Sequence, residues 1–151
     1  MLVDTGAGGL EPTTGKLIHN LQVEGIKPEE IDTVILTHAH PDHIGGSTDS
    51  EGNPVFPNAR YILWKDEWDY WTSKPNLAEL DIPKRIKELL ITVAHNNLLS
   101  IQHQLGLIDY EEEIVPGIRA IAAPGHTPGH MAVAITSNNK QLLYISDAVL
   151  H

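Results

Sequence analysis

Three histidines and an aspartate fall within six consecutive residues (His38, His40, Asp42 and His43) of the stretch LTHAHPDHIGG at 36–46. The run DTVILT, apolar and β-branched, leads straight into them and reads as a buried strand. Any fold for this chain must therefore bring a strand to a sheet edge and find a use for several imidazoles packed side by side. Charged, such groups repel one another; neutral and buried, each needs a partner. A divalent cation satisfies all of them at once. Residues two apart in an extended stretch point the same way, so His38 and His40 can grip one ion together. Pro41 breaks the extension, and Asp42 and His43 can turn toward a second ion.

Two more segments add donors of the same kind. APGHTPGH, 123–130, presents His126 on a Gly/Pro loop directly after an apolar strand, and YISDAVLH places Asp147 at the end of another. Three strand ends bearing nitrogen or oxygen donors are what a metal cleft at one sheet edge requires. With no cysteine in the sequence, a thiolate ligand, a thiolate nucleophile and a disulfide framework are all excluded. The formal net charge of −10 argues against a nucleic-acid groove or an anionic membrane surface as partner. No run approaches the ~20 apolar residues of a membrane span. The expected ligand is a small-molecule substrate. At 151 residues and 41% hydrophobic content, one domain is expected, burying about 70% of its extended surface.

Along the chain, residues 2–4 read as a strand end entering the turn TGAGG, and KLIHNLQVEG reads as a short helix stopped by Gly25. ARYILW reads as a strand and KDEWDYW as a short helix carrying Trp64, Trp68 and Trp71. Asp81 can cap a long helix, with Pro83 near its first turn, running to Gly106. Strands follow in EIVPGIRAIAA, MAVAIT and QLLYIS, with SNNK as the hairpin turn between the last two. This pattern predicts an α/β domain with a partly antiparallel, mixed sheet and helices on its faces. The chain opens inside a strand with nothing before it and closes four residues after Asp147. It is therefore expected to be a fragment, with no signal peptide visible and its compartment left open. A sheet edge left bare in this way predicts self-association with a second copy, a homo-oligomer that completes the fold.

THAHPDHIGG, APGHTPGH and YISDA, in that order, resemble the successive motifs of the metallo-β-lactamase-fold hydrolase superfamily, and LVDTGAGG resembles its opening motif. The resemblance implies a single αβ/βα sandwich over residues 1–151, incomplete here, with a dinuclear site between two sheets that usually holds zinc, with iron or manganese as alternatives. It implies that His38, His40 and His126 hold the first ion, that Asp42 and His43 hold the second, and that Asp147 bridges both. Asp4 and His130 would be supporting residues. The family places one more histidine ligand well downstream of the bridging aspartate, so the second position is expected to be the weaker, with His151 lining the pocket. A helical insertion at about 65–105 is similar in placement to that of the family's lactonase and organophosphate-hydrolase branches, and Trp68 is a candidate pocket wall.

Two cations about 3.5–4 Å apart bring a shared water's pKa toward neutrality, and the resulting hydroxide can attack an ester, lactone or phosphorus centre. Asp42 is the candidate catalytic residue, as ligand and proton shuttle. Lactone or ester hydrolysis ranks first, then phosphotriester, then β-lactam, since no Lys or Arg lies inside a motif. A diiron redox protein and a non-catalytic metal-binding fragment are the readings from other classes. His19, His95 and His103 lie on helical patterns and read as surface or core residues, and Glu111, Glu112 and Glu113 read as a solvated face.

Overall fold

The computed structural model describes residues 1–149. Its strands form two four-stranded sheets. The first is wholly parallel, in the order β1 (Leu2–Val3), β2 (Thr33–Ile35), β3 (Arg60–Trp64), β4 (Leu105–Ile108). The second is wholly antiparallel, in the order β5 (Glu113–Val115), β6 (Ile118–Ala122), β7 (Met131–Ser137), β8 (Lys140–Tyr144). The parallel and antiparallel pairings are thus divided between two sheets rather than mixed in one. Asn138 and Asn139, both at positive φ, turn the β7–β8 hairpin where SNNK predicts it.

Strand alternation separates two cores. Val34, Leu36, Tyr61 and Leu63 face one way, onto Ala94, Leu98 and Ile101 of α4 (Lys84–Ile101) and onto Leu17 and Leu21 of α1 (Leu17–Val23). Their neighbours Ile35, Ile62 and Trp64 face the other way, onto Ala120, Met131 and Val133 of the antiparallel sheet. Helices, parallel sheet and antiparallel sheet therefore stack in that order. Trp64 belongs to the inter-sheet core and Trp68 packs on the helical one.

Two expectations fail at α4. The helix is preceded by Pro83 and has no side-chain cap, so Asp81 does not cap it. It ends at Ile101, and Gly106 lies inside β4 instead of stopping the helix. Arg60 explains the glycine: a Cβ at position 106 would sit 2.4 Å from the Arg60 Nε. LGLI is a strand because its alternate residues Gly106 and Ile108 are buried beside β3.

Parallel strands deliver all their carboxyl ends to one edge. Asp4 follows β1, the histidine cluster follows β2, and α3 (Lys65–Thr72) follows β3 without a loop. At the same edge the β6–β7 loop and the end of β8 arrive from the second sheet. The Met131 amide donates to the Thr37 carbonyl at 2.9 Å and ties the start of β7 to the end of β2.

Candidate metal centre

Five of the six proposed ligands meet at this edge as two groups sharing His38. In one group His40 Nδ1 lies 3.1 Å from His38 Nε2 and 2.8 Å from His126 Nε2. In the other, His38 and His43 gather on Asp147. The Asp147 Oδ2 lies 3.4 Å from His126 Nε2, 3.5 Å from His43 Nε2 and 3.9 Å from His38 Nε2. It therefore stands between the two groups. Nitrogens bound about 2.0–2.1 Å from a tetrahedral ion stand about 3.3–3.4 Å apart, so this spacing fits a zinc-sized ion. Asp42, the sixth, keeps its Oδ2 3.5 Å from His43 Nε2, with its side chain 68% exposed.

The backbone explains how adjacent residues serve different groups. His38 to His40 is extended, and α2 (Pro41–Ile44) starts at once with Pro41 in its first turn. His38 and His40 thus reach one side, and His43, a helical residue, the other. Asp4 and Ser146, each one position from a donor or a brace, are held at positive φ. For residues other than glycine this is a strained setting and a common mark of functional sites.

Hydrogen bonds orient the rings. Asp4 Oδ1 accepts the Thr37 amide at 2.8 Å, and its Oδ2 accepts His43 Nδ1 at 2.9 Å. The Thr37 hydroxyl donates to Asp4 at 2.9 Å and accepts His38 Nδ1 at 3.2 Å. Both rings are thereby left with a bare Nε2 aimed into the site, the tautomer a metal ligand needs. His130, fully buried, donates its Nδ1 to the Ala123 carbonyl at 3.0 Å, and its Nε2 accepts the Asp147 amide at 3.2 Å. It thus holds the loop that carries Asp147.

Burial and the crowd of neighbouring rings push the His38 pKa far below the ordinary imidazole value. Burial, then the charge of His126, brings His40 to about 4. Burial also lowers His130. For His43 burial works in the same direction, but the hydrogen bond and charge of Asp4, helped by Asp42 and Asp147, outweigh it and raise the pKa. With the His38 and His40 pKa values lowered, their rings, 3.1 Å apart, and the His126 ring, 2.8 Å from His40, gather nitrogen donors at one point, a donor set for a divalent cation.

One functional residue escapes the sequence. Glu67, in the first turn of α3, is completely buried. Its Oε1 accepts the Ala39 amide at 2.9 Å and Trp71 Nε1 at 2.6 Å. Its Oε2 accepts the Thr127 hydroxyl at 2.7 Å and the Gly129 amide at 3.0 Å. A charged residue in KDEWDYW reads as solvated. The available signal is position: α3 begins directly after a buried strand, so its first turn sits at the site edge.

A cleft of about 630 Å³ opens beside His40 and His126, walled by Tyr70, Trp71, Leu77, Ile82 and Leu90. Its tryptophan is Trp71 rather than Trp68: both pack in the helical core, and Trp71 also lines the cleft. The Trp71 ring meets His40 edge-on, with centroids 5.6 Å apart. His151 lies outside the described residues.

The sequence profile of the Metallo-beta-lactamase superfamily matches residues 1–151. The chain belongs to that superfamily. An N-acyl homoserine lactonase of Bacillus thuringiensis is 28% identical over 134 residues, which cover 88% of this chain and 44% of the relative. Among solved structures, AidC, a dizinc quorum-quenching lactonase, superposes with a TM-score of 0.87 at 34% identity, over 97% of this chain and 52% of its own. The hydrolase AbOPH superposes with a TM-score of 0.81 at 28% identity, over 98% of this chain and 52% of its own. The chain therefore spans less than half of that lactonase and about half of each of the two structures.

Proposed function

We propose that this chain carries the metal centre of a zinc-dependent hydrolase that opens lactones or cleaves related esters. The observation behind this reading is the convergence of His38, His40 and His126 on one point, with the Asp147 carboxylate 3.4 Å from His126. His38, His40 and His126 would hold one ion, His43 and Asp42 the other, and Asp147 would reach both. Two such ions supply a water acidified toward neutral pH and a Lewis-acid hold on the substrate carbonyl. The protein does the rest. The His38 and His40 rings, whose pKa values are lowered, present lone pairs without needing to lose protons first. Asp42, exposed beside His43, passes a proton to the leaving oxygen. Trp71, Leu77 and Leu90 receive the apolar part of the substrate and exclude water along one wall of the cleft. The relatives named as lactonases favour a lactone over a phosphotriester or a β-lactam, and the mainly apolar walls agree.

Rates on acyl lactones, aryl esters and phosphotriesters, measured with zinc and again after chelation, test the reading. The expected order is lactone, then ester, then phosphotriester, with all rates lost on chelation. Absence of bound metal together with absence of hydrolysis of every substrate in added zinc would overturn it.

A further inference from the structure

Glu67 lies outside the cleft lining and the ligand groups, yet among the described residues it is the one side chain, apart from the ligands themselves, bonded to both loops that bear the three-histidine group. It grips Ala39, the residue between His38 and His40, and on the other loop it grips Thr127, which follows His126, together with Gly129. All four of its partners are donors, and an ionised carboxylate is acceptor-only, so its two oxygens are matched two and two. The His126 loop lies this close to α3 because residue 129 is glycine: a Cβ there would lie 2.2 Å from the Glu67 amide nitrogen. Nothing on Glu67 reaches the Asp42–His43 turn, whose histidine is oriented by Asp4 instead.

We propose that Glu67 is a positioning residue that fixes the span between the His38–His40 segment and the His126 loop, and so tunes the three-histidine ion position selectively over the His43 position. This rests on the metal-centre reading above. Two carboxylates then divide the work: Glu67 holds the span to the His126 loop, while Asp4 braces His43 directly and reaches His38 only through Thr37. Partners that hold ligand-bearing groups typically change metal affinity about 10–100-fold when altered.

The test is Glu67→Gln in the full chain. The amide keeps the shape but turns an NH₂ toward groups that donate, at least one of them a backbone amide that cannot reverse. Zinc titration of the metal-free protein is read as two binding events, and the one that His126→Ala abolishes identifies the three-histidine position. Glu67→Gln is expected to weaken that event about 10–100-fold and to leave the other within about threefold. Asn97→Ala removes a buried link between Thr48 and α4 that bonds to neither loop. It should lower the melting temperature and leave both events unmoved. Should Glu67→Gln fail to fold, Thr127→Val removes a single bond to the same carboxylate and is expected to weaken the same event several-fold. The proposal is overturned if the three-histidine event is unchanged in the Glu67 variant, or if both events weaken alike, or if Asn97→Ala reproduces the effect. Amide exchange in the metal-free protein separates this from the metal reading. The Ala39 and Gly129 amides should exchange about tenfold faster in Glu67→Gln, even if the unaltered protein takes up no zinc. Unchanged exchange at these two amides would sink the proposal alone.

Discussion

The two groups of donors lie side by side, with Asp147 standing between them, but they are built on opposite principles. The His38–His40–His126 group is walled in: His38 is fully buried, its rings face other rings, and His38 and His40 have their pKa values driven down. The His43–Asp42 side is open: Asp42 is 68% exposed, and the carboxylates around His43 drive its pKa up. Burial thus prepares a cation site from neutral donors in the first group, whereas in the second negative charge does the preparing. A cation should find the first group ready at neutral pH and must displace a proton at the second.

The largest break in this contrast is expected from Asp4→Asn. It removes the charge that raises the His43 pKa and turns the His43 Nδ1 bond from carboxylate to amide. Zinc affinity at the His43 position should fall about 10–100-fold, and the three-histidine event, which Asp4 reaches only through Thr37 and His38, should fall by less. Titration of the metal-free protein is where the two should divide.

A smaller effect is expected from pH. The His40 ring, held near 4, stays neutral in the folded protein at pH values where an unfolded ring at 6.5 has taken a proton. That term is intact above about 6.5, and stability is lost as the pH falls from 6.5 toward 4. His43 carries the opposite sign: its pairing with Asp4 is fully present below 6.5 and fades as the pH rises through its raised value. Imidazole NMR spectra of the metal-free protein over pH 4–8 should show His43 protonating at a higher pH than His40 on acidification. Both rings titrating together near 6.5 would erase the distinction.

Local chemistry was legible in the sequence and long-range chemistry was not. His38, His40, Asp42, His43, His126 and Asp147 each announce themselves, because donors at strand ends with Gly and Pro nearby form short motifs. Asp4 and His130 lie inside such motifs as well, and the structure places them as hydrogen-bonding braces of His43 and of the Asp147 loop. Glu67 was hidden because its loop partners lie 28, 60 and 62 residues away, although its spacing of four from Trp71 puts both on one face of α3. Strand β4 was hidden because Gly106 resembles a helix stop, when its small size serves the Arg60 side chain. The choice between Trp68 and Trp71 depended on which of the two also lines the cleft, which the segment alone does not encode. Two-residue alternation divides the two cores along β2 and β3, since one face of each strand meets helices and the other meets the second sheet.

The most direct test of the central claim is zinc titration of the metal-free protein beside His126→Ala. If three imidazoles from segments 86 residues apart converge on one ion, the unaltered protein shows a zinc-binding event near pH 7 that His126→Ala weakens by more than about 100-fold. Equal zinc affinity in the two proteins would contradict the account.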